Sequence, residues 1–168
     1  MRSFLNIIMA VALVTICQYG HAAGGNTDDT PAVKVLESGK KTKKLEGATL
    51  KIARPILKKT PMSVIMDDIR MLMVCPLDNQ KKDQPEMAAK VERMLKSYTM
   101  VREIDDELYH MYIYIDTPHN DRFSELILYH KRPEVSIMLF EGDFTTESLL
   151  KVGELSDQQR EKRRQSKK

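Results

Sequence analysis

Apolar residues recur along the chain at two spacings, and the change from one to the other marks out the elements. Met87, Val91, Met94, Leu95 and Tyr98 fall on one stripe at helical intervals. They follow Pro85 and a capping spacing between Asp83 and Glu86, so a helix is predicted over Pro85 to Ser97. Farther on the period drops to two. Strands are predicted at Leu108 to Asp116, Arg122 to His130 and Glu134 to Glu141, with a weaker one at Thr99 to Ile104. Ile69 to Cys75 is an apolar run broken only by Arg70, too short for a helix and read as a buried strand that Pro76 ends.

Between Ala48 and Ile69 the helical pattern is interrupted. Leu50, Ala53, Ile56 and Leu57 share a face, but Pro55 lies within it. An interior proline costs about 3 kcal/mol, so this helix is expected to be short or to begin near Arg54. Thr60-Pro61 supplies an N-cap and a first-position proline for a second short turn through Met66. Thr145 is the predicted N-cap of a last helix, with Glu147 in its first turn and Phe144 placed to pack on Leu149; the helix is expected to end by Leu155.

Turn chemistry at Thr117-Pro118-His119-Asn120-Asp121 joins two alternating segments into a hairpin. With His119 and Asn120 as its central residues, Met111 faces Leu128 and Ile113 faces Leu126, an aliphatic side suited to the helix. The other side carries His110, Tyr112, Tyr114, Glu125, Ile127 and Tyr129. Together the elements predict an α+β fold: a largely antiparallel sheet of about five strands, with helices packed on one face.

Four of these segments carry a resemblance: Met94-Leu95-Lys96-Ser97-Tyr98, Met111 to Ile115, Phe123 to Leu128, and Ser136 to Phe144 with its Glu141-Gly142-Asp143-Phe144 corner. From about Leu50 to Leu155 the chain resembles a family of secreted Bacteroidetes proteins catalogued as domain of unknown function 4252. The resemblance implies an exported α+β protein and no assigned reaction.

The amino terminus sharpens the address. Arg2, an apolar stretch from Phe4 to Cys17 and Gly20-His21-Ala22 read as a signal peptide over residues 1–22, cleaved after Ala22. Acylation at Cys17 is disfavoured, because Ile16 stands where a lipoprotein leader needs a small residue. The mature chain then keeps one cysteine, Cys75, which is expected to be buried and inert and cannot staple the fold. Residues 23–47 read as a flexible basic arm, 48–155 as the α+β domain, and 156–168 as a disordered basic tail.

Net charge +3 is a sum of opposing parts. Val33 to Lys59 holds nine Lys/Arg against two acidic residues and Arg160 to Lys168 six against one, whereas Thr60 to Gln159 holds eleven against nineteen. The basic ends suit an anionic membrane surface. Nucleic acid is disfavoured for an exported chain whose tail interleaves no aromatic residues with its charges.

Chemistry-bearing motifs are sparse. No zinc spacing, calcium loop, nucleophile elbow or phosphate loop is present, so no catalytic, metal or cofactor-binding residue is assigned. His110 and His130 are read as solvated strand residues on opposite faces. Most of the methionines, Met66, Met71, Met73, Met87, Met94, Met100, Met111 and Met138 among them, are placed on core faces. What remains is an aromatic sheet side away from the helix. Tyr112, Tyr114 and Tyr129 with Phe123 and His110 form the candidate partner-binding surface, for an envelope protein or a second copy. The functional expectation is an exported, non-enzymatic binding module of the cell envelope. The alternative is a small ligand carrier or enzyme with a pocket between helix and sheet.

Overall fold

A computed structural model describes residues 30–58, 60–77, 84–105, 110–132 and 134–165. In chain order the elements are α1 (Pro31–Glu37), β1 (Lys43–Glu46), α2 (Gly47–Leu57), a 3-10 turn (Pro61–Ile65) and β2 (Ile69–Pro76). They continue with α3 (Gln84–Leu95), β3 (Thr99–Asp105), β4 (His110–Ile115), β5 (Arg122–Arg132), β6 (Ser136–Thr145) and α4 (Thr146–Gln165). Six strands form one sheet in the order β1-β2-β6-β5-β4-β3, every neighbouring pair antiparallel. The fold is α+β, with one strand more than the sequence pattern predicts.

Its central strands are apolar on both sides. Leu72, Val74, Leu126, Met138 and Phe140 point into one core with α2, the 3-10 turn and α4. Met71, Met73, Cys75, Ile127, Tyr129, Ile137 and Leu139 point into a second core with α1 and α3. Helices therefore lie on both faces, where one covered face was expected. The reason is physical: a strand that is apolar at consecutive positions has no side it can leave in water.

Three local features depart from the sequence reading. Thr30 caps α1 by accepting a hydrogen bond from the Val33 amide, and Ala32, Val33 and Leu36 are fully buried against the second core. With β1 paired to β2, much of the segment read as a flexible arm is structure. At the other end α4 continues to Gln165, ten residues past the expected stop at Leu155. Finally, α2 begins at Gly47 and carries Pro55 inside its last turn, so the proline limits the helix at its end and not at its start.

The hairpin register also moves. Asn120 and Asp121 occupy the two central turn positions with φ of 50° and 60°, between reciprocal backbone bonds of His119 and Arg122. Positive φ at both positions marks the turn that matches strand twist. Moving the turn by one residue slides the pairing by two: Ile113 lies opposite Leu128, and Tyr112 opposite Tyr129. A slip of two leaves each side chain on its expected face.

The buried α1 face generates a stability prediction. Leu36→Ala should cost about 2–4 kcal/mol in urea unfolding. A loss below about 0.5 kcal/mol would mean that α1 hangs free of the second core.

Candidate functional site

Between α4 and the sheet lies a cavity of about 270 Å³. Met111, Ile113, Leu128, Met138 and Phe140 contribute to its floor, Leu149, Val152 and Gly153 to its roof, and Leu57, Pro61 and Met62 to a side wall. Local sequence explains each wall. Thr145 and Ser148 exchange side-chain-to-amide hydrogen bonds at 3.1 and 3.2 Å, a reciprocal cap that launches α4 directly from the end of β6. Thr60 caps the 3-10 turn through the Met62 amide, with Pro61 in its first position, as its residues predict. Helix α4 leans on that turn and reaches the sheet at β6. Mostly polar residues make up its length, so only a few of its side chains reach inward and the space below is left unfilled.

His130 faces this apolar space from β5. It is 4% exposed, and burial holds its pKa down to about 4, so the ring is neutral at neutral pH. Among the described residues it has no hydrogen-bond partner. This corrects the expectation of a solvated strand histidine; the signal was its place in the Leu126, Leu128, His130 alternation. The hydroxyls around the cavity are spent on backbone carbonyls: Thr60 on Leu57, Thr146 on Asp121 and Ser156 on Val152.

At the rim, β3 carries one extra residue where its register to β4 shifts between Met100 and Arg102. This bulge brings both Val101 and Arg102 to the cavity. Arg102 donates from Nη2 to both carboxylate oxygens of Asp157 at 2.7 Å. It crosses α4 at Gly153, where a Cβ would stand 2.7 Å from its other terminal nitrogen. Exposed Val101 and Leu150 (67% exposed) make the rim apolar on both sides of that ion pair.

The aromatic surface expected from the sequence does not form as one patch. Tyr129 is 3% exposed beneath α3: its hydroxyl donates to Glu92, and Lys131 sits 4.4 Å from its ring centre while pairing with the same Glu92. Phe123 lies in the opposite core beside Phe144, because the β5–β6 register shifts between Phe123 and Glu125. His110, Tyr112 and Tyr114 remain as a half-exposed row on β4, with successive ring centres 4.8 and 6.4 Å apart and His110 bonded to Glu103. Two further expectations resolve simply. Met100 is exposed on the edge strand, and Cys75 is buried, its thiol pKa raised by desolvation.

A second polar cluster lies on the other face. Glu125 and Glu141 are buried and directly opposite each other on β5 and β6. Glu125 accepts from Tyr98 at 2.5 Å and from Thr30, tying α1 and the start of β3 onto the sheet. Burial and that carboxylate push the Tyr98 hydroxyl well above its ordinary pKa. Glu141 has one oxygen 3.8 Å from Arg70 and the other without a partner among the described residues; burial raises its pKa. With both of its oxygens occupied by protein hydroxyls, Glu125 acts as a structural tie. No three His, Cys, Asp or Glu residues among those described gather as a metal site, and no described helix is long and apolar enough to cross a membrane.

Comparisons of the chain with protein-family models, curated proteins and solved structures return no match. The chemistry of the cavity therefore carries the functional reading.

Two pH dependences of opposite sign follow. His130 binds a proton more readily when the chain is unfolded, so its contribution is whole above about pH 6.5 and is lost as pH falls toward 4. Relative to His130→Leu, the native chain should lose roughly 2 kcal/mol between pH 7.5 and 4.5; parallel profiles would contradict the buried neutral ring. Glu141 is the converse, because its ionisation opposes folding as pH rises above the ordinary carboxylate range. Glu141→Gln should raise Tm by about 2–4 °C at pH 7 and by little at pH 4; an unchanged Tm at both would place Glu141 in water.

Proposed function

We propose that this chain is an exported, non-enzymatic binding protein that carries a small apolar molecule in the cavity under α4. The observation that supports this reading is the cavity's size and lining. An apolar cavity of roughly 150 Å³ stays dry and accepts benzene. The present one is nearly twice that and takes a molecule of about a dozen heavy atoms. Burying such a ligand contributes about 25 cal/mol for each Å² of apolar surface removed from water. Val101 and Leu150 at the rim favour entry of an apolar body between β3 and α4.

The leader-like residues 1–22 and the resemblance to secreted proteins support export. The sequence from Arg160 to Lys168 holds six Lys/Arg against one Glu, a basic end that an anionic membrane surface would attract, so a carrier could meet membrane-dissolved ligands there. The aromatic face is the weaker candidate, since α3 covers Tyr129 and Phe123 lies on the opposite side.

Naphthalene tests the reading as a probe that fits the volume. At ten times its Kd it should raise Tm by about 3 °C. Leu128→Phe, which fills the floor, should remove that shift while the variant stays folded. No shift with the native chain, or an equal shift with Leu128→Phe, would overturn the proposal.

A further inference from the structure

We infer that the molecule held under α4 carries one uncharged hydrogen-bonding group and seats it on His130; this rests on the carrier reading of the same cavity. A buried imidazole presents one donor and one acceptor nitrogen, and leaving such groups unmade costs about as much as losing a hydrogen bond outright. Here the ring is nine-tenths buried, faces the cavity and has no partner among the described residues. The neighbouring hydroxyls already donate to backbone carbonyls. A water would find few of the two to four polar partners it needs in so apolar a space. The group that completes His130 is therefore one that the ligand brings.

The lining also decides that group's charge. Among the described residues no Asp or Glu lines the cavity, so none of them neutralises a cation there. Among the described residues the cationic side chain lining it is Arg102, whose guanidinium is committed to both oxygens of Asp157 at the rim. An anionic head would have to draw Arg102 away from Asp157, or else sit uncompensated among Met111, Leu128 and Phe140, where a bare charge is costly. A hydroxyl, phenol or carbonyl meets the imidazole without either cost. The ligand class is thus a neutral alcohol, phenol or ketone on a compact hydrocarbon body of about a dozen heavy atoms. A site built around a hydrogen bond discriminates against an analogue that lacks the group, because the protein's own polar atom is then left unpaired.

Three probes of one shape separate the outcomes: naphthalene, 2-naphthol and 2-naphthoate, titrated into the native chain, His130→Leu and Arg102→Ala. The native chain should bind 2-naphthol about fivefold tighter than naphthalene and at least tenfold tighter than 2-naphthoate. His130→Leu should retain naphthalene binding and reverse the order of the two neutral probes, which shows an intact cavity without its polar seat. Equal affinity for naphthalene and 2-naphthol in the native chain, or an unchanged preference in His130→Leu, overturns the inference and leaves the carrier reading standing. Tightest binding of 2-naphthoate, lost in Arg102→Ala, overturns it in favour of an anionic ligand. Failure of all three to bind overturns the carrier reading and this inference with it.

Discussion

Everything in this fold follows from the central strands being apolar at consecutive positions. Ile137-Met138-Leu139-Phe140 in β6 and Met71 through Cys75 in β2 send side chains into two separate cores, so the sheet must be roofed on both faces. One roof is close. Helices α1 and α3 are short and amphipathic, and Glu125 fastens α1 and the start of β3 to the sheet through the hydroxyls of Thr30 and Tyr98. The second roof is built differently. Helix α4 is long and polar, anchored at its start by the Thr145–Ser148 cap and along its length by the Arg102–Asp157 pair. A helix held mainly at its polar contacts does not have to fill the volume beneath it.

That difference gives the cavity its character. Close-packed interiors leave few voids larger than a water, and a void lined by methionine, leucine and phenylalanine forfeits dispersion contacts on every side. Placing an unpartnered histidine in it adds a second unfavourable contribution. Both are relieved by one event, the arrival of an apolar body with a polar group. The extra residue at Val101 in β3 shapes the same cavity, because it sets an apolar side chain and an arginine together at the opening. On the opposite face buried Glu125 is also costly, but its hydroxyl donors, Thr30 and Tyr98, are protein groups, so it binds the fold to itself.

Much of this was legible in the residues, and the failures have identifiable causes. Local signals held: the Thr60-Pro61 and Thr145 caps, the helix at Pro85, the run from Ile69 to Cys75 and the two faces of the hairpin are all where their side-chain spacing places them. Tertiary consequences did not. A consecutive apolar run reports burial on both sides, yet it does not say which helix covers which side, and α3 covers the tyrosines in place of the aliphatic residues. Shortness hid α1: its seven residues lie between polar segments and hold too few turns to show a helical period, although Ala32, Val33 and Leu36 turn inward. The bulges at Val101 and at Gly142-Asp143 are invisible to strict alternation, which is why Phe123 was assigned to the wrong face and Arg102 was not singled out. His130 could have been found, since it continues an aliphatic alternation that ends in a polar ring.

For a ligand to be held under α4, the space between α4 and the sheet must be empty of protein and accessible to an apolar molecule. Xenon pressurisation of a crystal of the native chain tests this most directly, because xenon enters apolar cavities without needing a specific partner. A xenon site bounded by Leu128, Met138 and Val152, with α4 in place, is the result expected. Side chains of α4 packed down onto Met111 and Leu128, with xenon absent from that layer, would contradict it.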